Sequence, residues 1–139
     1  MKNKILITGS SGFVGTNITK SFKNTYDLIL PNRNNLRKTL DLKKNYDVMI
    51  HLAGLAHDTS STAYQNNYFE INTDLTVYAF EKFMKSNAQI FIFLSSVKAC
   101  SDSFEGVLNE NVVSRPSTPY GKSKLKAENI IIKKLKKSK

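Results

Sequence analysis

"KILITGSSGFVG", Lys4 to Gly15, decides the fold. Its first five residues form a short apolar run ending at a glycine, the pattern of a strand buried on both faces of a parallel sheet. Gly9, Gly12 and Gly15 follow at spacings of three, and Thr16 to Lys23 continues with helical spacing. In such a strand–loop–helix unit the three glycines allow, in turn, a tight turn, close approach of backbone to a diphosphate, and close packing of helix on sheet. The helix N-terminus turns its free N–H groups and the positive end of its dipole toward phosphate. A glycine triplet alone is a common loop pattern, and the strand before it and helix after it give it weight. A mononucleotide P-loop is excluded, because no Gly-Lys-Ser/Thr closes the segment.

Outward from this unit, "DLILP" (Asp27 to Pro31) reads as a second strand, "TLDL" (Thr39 to Leu42) as a short third and "DVMIHLA" (Asp47 to Ala53) as a fourth. A long amphipathic helix follows, with Tyr68, Ile71, Leu75, Ala79 and Phe83 on one stripe, and "QIFIFLSS" (Gln89 to Ser96) is the fifth strand. A loop rich in Ser, Asp and Asn leads to a last helix, "YGKSKLKAENIIIKKL" (Tyr120 to Leu135). Strands alternating with helices predict an α/β fold, a doubly wound, Rossmann-like parallel sheet whose ligands bind at the C-terminal ends of the strands. At 139 residues the chain fits one domain, residues 1–139.

The net charge of +10 invites a nucleic-acid or anionic-membrane partner. Its distribution argues otherwise: eight lysines against one acid, Glu128, between Lys122 and Lys139 account for most of the excess. A solvated lysine face, favoured near a helix C-terminus, explains this, and no nucleic-acid reader motif accompanies it. No apolar run approaches the roughly 20 residues of a membrane span, and no signal-peptide pattern opens the chain, so a cytoplasmic protein is expected. The lone Cys100 is assigned no chemistry. His51 and His57 lack the companions of a zinc site and read as structural or cofactor-side residues.

A dinucleotide site usually carries an acid after the second strand, to hold the adenosine ribose hydroxyls. Here the chain reads "PNRN", and Arg33 would instead face a 2′-phosphate, or serve as a solvated loop residue, which leaves both NAD and NADP open. Asp41 and Leu42 would flank the adenine, or serve as turn residues.

The glycine loop, "HLAG" (His51 to Gly54), the serine pair Ser95 and Ser96, and "TPYGKSK" (Thr118 to Lys124) occur in order along essentially the whole chain. Together they resemble the extended short-chain dehydrogenase/reductase family, most closely its sugar-nucleotide epimerase branch. The resemblance implies that Gly9, Ser11, Gly12, Phe13, Val14 and Gly15 form the diphosphate loop, and that Leu52, Ala53 and Gly54 line the cofactor. It matches Asn72, in "FEINTDLT", to the family's helix asparagine, and Ser96, Tyr120 and Lys124 to the catalytic three, with Tyr120 and Lys124 also on the cofactor side. Ser96 is preferred to its neighbour Ser95 by its offset from the tyrosine. The family's 4,6-dehydratases carry an Asp-Glu pair after the serine, whereas this chain has Val97 and Lys98. Ala99, Cys100 and Ser101 replace the Val-Tyr-Gly of many epimerases, which leaves the sugar open.

A phenol is a poor base at neutral pH unless its anion is stabilised. Residues four apart on a helix share a face, so the Lys124 ammonium is expected near Tyr120. The expected chemistry is removal of a sugar hydroxyl proton by Tyr120, with Ser96 holding the same oxygen, while the carbon's hydride goes to a nicotinamide; its return to the opposite face inverts the centre. The implied partners are a dinucleotide, a nucleotide-sugar and a second copy of the chain. In the family the Tyr-x-x-x-Lys helix lies near mid-chain, so the chain reads as the cofactor half, truncated after that helix, with the C-terminal substrate domain absent. Ile130, Ile131, Ile132 and Leu135 are then expected to leave apolar surface exposed. Two readings stay open: an NAD(P)-dependent epimerase or dehydrogenase, or a catalytically silent dinucleotide-binding domain.

Overall fold

The computed structural model describes residues 2–56, 65–103 and 105–137. In chain order the elements are β1 (Lys4–Thr8), α1 (Phe13–Phe22), β2 (Asp27–Ile29), α2 (Leu36–Leu42), β3 (Val48–His51), α3 (Gln65–Tyr68), a π-helical segment (Phe69–Asp74), α4 (Leu75–Met84), β4 (Ile90–Phe93), a 3-10 turn (Val97–Ala99) and α5 (Pro119–Lys137). They fall into two compact units, Met1–Ala53 with Tyr78–Leu94 and Gly54–Val77 with Ser95–Lys139. Among the described residues no helix is long and apolar enough to cross a membrane.

The first unit holds the sheet. Its four strands are all parallel, in the order β2-β1-β3-β4. Thr8 lies level with His51, and His51 with Phe93. Successive strand residues face opposite ways, so Ile5, Ile7 and Ile50 share one face and meet Ile18 and Phe22 of α1. Phe91, level with Met49, points to the other face, where it meets Phe80 and Phe83 of α4 at centroid separations of 5.2 Å each. Helices therefore cover both faces, as the alternation of elements predicts. At the edge strand β4 the cover is one-sided: Ile90 and Ile92 are about half exposed, unlike a strand buried on both faces.

Five strands are expected from the sequence, and the described residues form four. The stretch Thr39–Leu42 is helical, inside α2. A strand would set Leu40 and Leu42 on one face, but Leu40 is 2% exposed and Leu42 68%. Leu36 and Leu40, both buried, stand four apart, and this helical period wins in a segment of good helix formers. The second strand ends at Ile29, short of Pro31, whose missing N–H unsuits it to a ladder.

In the second unit the expected long helix is interrupted. Between α3 and α4 the chain widens to π geometry, with the Leu75 N–H donating to the Glu70 carbonyl five residues back. Such widenings gather at functional sites, and here the buried residues of the segment are Asn72 and Thr73, off the apolar stripe. The last helix, α5, opens with Pro119, whose fixed φ suits the first helical position. Thr118 caps it, its Oγ1 accepting the Gly121 N–H at 3.2 Å. Asp102 secures that cap by accepting hydrogen bonds from the Ser117 N–H (2.6 Å), Ser117 Oγ (2.8 Å), Thr118 N–H (3.1 Å) and Thr118 Oγ1 (2.7 Å). These donors, the Thr118 hydroxyl first, hold the Asp102 carboxyl well below the usual carboxylate range. Further along, Ile131 is buried while Ile132 and Leu135 are exposed, so the expected apolar surface is present in part.

The contrast within α2 is measurable. By denaturant unfolding, Leu40→Ala is expected to destabilise by about 2–5 kcal/mol and Leu42→Ala by less than about 0.5 kcal/mol. Equal losses would restore the strand reading.

Candidate active site

The glycine turn lies wholly in the first unit. Gly9 has φ of 71°, a left-handed conformation that favours glycine. A Cβ there would stand 2.6 Å from the Ala53 nitrogen and 2.7 Å from the Leu52 carbonyl carbon, so the chain leaving β3 lies against it. At Gly15, inside α1, a Cβ would run into the Gly9 carbonyl oxygen and come within 2.7 Å of Ser10 Cα. The Gly12 N–H donates to that same Gly9 oxygen at 3.1 Å, folding the loop onto the start of α1. Gly12 precedes the helix in an extended conformation, with no side-chain cap and no acid in the first turn. Phe13 is 88% exposed, and Ser11 and Val14 are exposed beside it. The turn therefore presents the positive end of α1 with no side-chain cap of its own, which fits a diphosphate.

His51 is structural. It is buried, its Nδ1 shares a hydrogen bond with Thr8 Oγ1 at 2.8 Å, and its ring stacks on Phe91. Thr8 Oγ1 also accepts the Ala53 N–H at 3.2 Å, fixing the segment that meets Gly9. His57 lies outside the described residues. Arg33 is exposed in the turn that precedes α2, where Asn32 Oδ1 accepts the Asn34 and Asn35 N–H groups at 3.0 Å each. Asp41 and Leu42, expected after a strand, lie on α2 instead. The Asp41 carboxylate takes the Tyr78 hydroxyl at 2.6 Å and the Lys82 ammonium at 2.5 Å, Arg37 sits 4.7 Å over the Tyr78 ring, and Lys82 first and Tyr78 second hold its carboxyl low.

The second unit gathers Gly54, Asn72, Tyr120 and Lys124. Asn72 accepts the Leu55 N–H at 2.7 Å and donates to the Leu55 carbonyl at 3.0 Å and to Ser123 Oγ at 3.1 Å. Ser123 Oγ in turn donates to the Tyr120 carbonyl at 2.7 Å, and Thr73 Oγ1 donates to the Ser123 carbonyl at 2.8 Å. The π-helical segment is thus bonded directly to the turn of α5 that joins Tyr120 to Lys124. The Tyr120 ring is half-buried, edge-on to Tyr68 at 6.2 Å.

Lys124 is 5% exposed, rare for a lysine. A Cβ added to Gly54 would stand 3.2 Å from its Nζ and 3.1 Å from Asn72 Oδ1, which puts the amine and the asparagine at one spot. Burial brings the amine down from an ordinary 10.5 to about 8, against the nearby Glu128 carboxylate, which acts to raise it. Ser96 opens the 3-10 turn, its Oγ accepting the Lys98 N–H at 3.2 Å. That turn abuts α5, for a Cβ at Gly121 would collide with the Lys98 carbonyl oxygen. Ser95 Oγ donates to Glu128 Oε1.

The NAD dependent epimerase/dehydratase family model matches residues 5–137. The chain belongs to that family. It is 31% identical to a UDP-glucose 4-epimerase of Vibrio cholerae over 95% of this chain and 47% of that protein. With a dTDP-D-glucose 4,6-dehydratase of Dictyostelium discoideum the identity is 28%, over 92% of this chain and 39% of the relative. Among solved structures, MoeE5 in complex with UDP-glucose and NAD superimposes with a TM-score of 0.82 at 25% identity, covering 94% of this chain and 48% of that one. The chain thus spans about half the length of the relatives it matches.

Three residues of the site went unassigned from sequence: Ser123, Asp102 and Glu128. Glu128 alone left a signal, standing four residues beyond Lys124. The others act through bonds to residues distant in sequence.

The buried amine has a pH signature. Its folded value lies below its unfolded one, so burying the ammonium opposes folding below about pH 8, and that opposition is relieved as pH rises from about 8 toward 10.5. Unfolding free energy is expected to rise over this window by up to about 3 kcal/mol, and Lys124→Met to abolish the rise. A parallel pH dependence in both proteins would contradict this burial.

Proposed function

We propose that the chain carries the cofactor-binding and proton-transfer residues of an NAD(P)-dependent sugar-nucleotide epimerase of the UDP-hexose 4-epimerase kind. The observation that carries the reading is the buried Lys124 ammonium one helical turn beyond Tyr120, beside Asn72. A lysine so placed stabilises negative charge developing on a phenol oxygen.

In this reading the α1 N-terminus, from Gly9 to Gly15 with Ser11, Phe13 and Val14, holds the diphosphate, and Leu52, Ala53 and Gly54 border the dinucleotide. When bound, the nicotinamide supplies acceptance and return of a hydride. Tyr120 takes the proton from a sugar hydroxyl and later gives it back. Ser96 hydrogen-bonds the same sugar oxygen, and Lys124 keeps positive charge beside the phenol throughout. Asn72 holds this part of α5 through Ser123.

NAD is the proposed cofactor. Arg33 is exposed and free to meet a 2′-phosphate, so NADP is the alternative. A silent dinucleotide-binding domain is the second reading. Cytoplasmic residence and self-association belong to the proposal as well.

Calorimetric titration with NAD⁺ and NADP⁺, followed by turnover of UDP-glucose and UDP-galactose, tests it. Binding is expected, with Tyr120→Phe retaining it and losing about 10²–10⁴-fold in turnover. Binding with no turnover in the unaltered chain favours the silent domain, and absence of binding defeats both readings.

A further inference from the structure

Glu128 plays no part in the scheme above, yet it is placed to act on it. On α5 it stands one turn beyond Lys124, and Ser95, the residue before Ser96, donates its hydroxyl to Glu128 Oε1. The carboxylate is half-buried. A carboxylate four residues C-terminal to a lysine is the less favourable order for an exposed helical pair, so surface helix stability does not account for it.

We propose that Glu128 is a positioning residue: held by the Ser95 hydroxyl, its carboxylate keeps the Lys124 ammonium charged and binds the serine segment to the helix bearing Tyr120. The proposal rests on the reading of Ser96, Tyr120 and Lys124 given above. Burial works to neutralise the amine, and the Glu128 charge is what opposes it. Residues four apart on a helix share a face, and an opposite charge so placed favours the charged form of an amine, raising its titration midpoint. Other ionisable groups stand on the same helix and on the elements packed on it. On α5 these are Tyr120, Lys122, Lys126, Lys133, Lys134, Lys136 and Lys137; on α3 and the π-helical segment, Tyr68, Glu70 and Asp74; on the 3-10 turn, Lys98. Glu70 and Asp74 are exposed, and Lys126 sits over the Phe69 ring.

Substitution separates charge from tether. Glu128→Gln keeps an oxygen for the Ser95 hydroxyl and removes the charge, while Glu128→Asp keeps the charge. The readout is the titration midpoint of Lys124, followed by NMR of ¹³C-labelled lysine in the full chain and assigned with Lys124→Met. The unaltered chain is expected near 8, Glu128→Gln lower by roughly one unit, and Glu128→Asp close to the unaltered value. In turnover assays the alkaline limb of kcat is expected to move with the Lys124 midpoint, with KM unchanged. A midpoint in Glu128→Gln equal to that of the unaltered chain overturns the proposal. If Glu128→Gln fails to fold, Ser95→Ala decides the matter: freeing the carboxylate is expected to lower the midpoint, and an unchanged value overturns the proposal. The midpoint is read without catalysis, so an inactive chain defeats the functional reading and leaves this test standing.

Discussion

The approach of backbone to backbone at Gly9 is the constraint on which the first unit depends. β1 and β3 are neighbours in register, and the chains leaving them converge until no side chain fits between Gly9 and the Leu52–Ala53 peptide. Gly15 repeats the requirement one step on, letting α1 start directly over the turn. The consequence is a helix end that packing has fixed in place and that carries no side-chain cap, where partial positive charge is available to an anion. Thr8 and His51 brace the arrangement from within, which accounts for a buried imidazole at this place.

The second unit is organised around a different problem, that of burying a lysine beside polar backbone. The π-helical widening turns Asn72 and Thr73 inward together, and their bonds to Leu55 and Ser123 satisfy groups that would otherwise be buried without partners. Asp102 fixes the start of the same helix through Thr118. Tyr120 and Lys124 therefore stand on a segment secured at its cap and at its second turn. This preorganisation suits a proton-transfer site, because the geometry need not be assembled during the reaction.

What was legible in the sequence is local. The strand–glycine–helix unit is written in contiguous residues, and Tyr120, Gly121 and Lys124 sit within one short stretch, so both read directly. Thr39–Leu42 misleads because four residues are too few to separate a two-residue period from a helical one; only the burial of Leu36 with Leu40 decides. The π-helical segment leaves no periodic signature, since its cause is a set of bonds to residues 17 and about 50 positions away. Asp102 looks like any loop acid until its four donors are seen, 15 and 16 residues further on. Long-range partners, rather than residue types, are what the sequence withholds.

The central claim is that the start of α1, and not the lysine-rich end of α5, receives the diphosphate of a dinucleotide. Amide chemical-shift mapping with NAD⁺ tests it directly. Saturable shifts at Gly9 to Gly15, persisting as salt is raised, are the predicted result. Shifts confined to the lysines between Lys133 and Lys137, and lost as salt screens them, would contradict it.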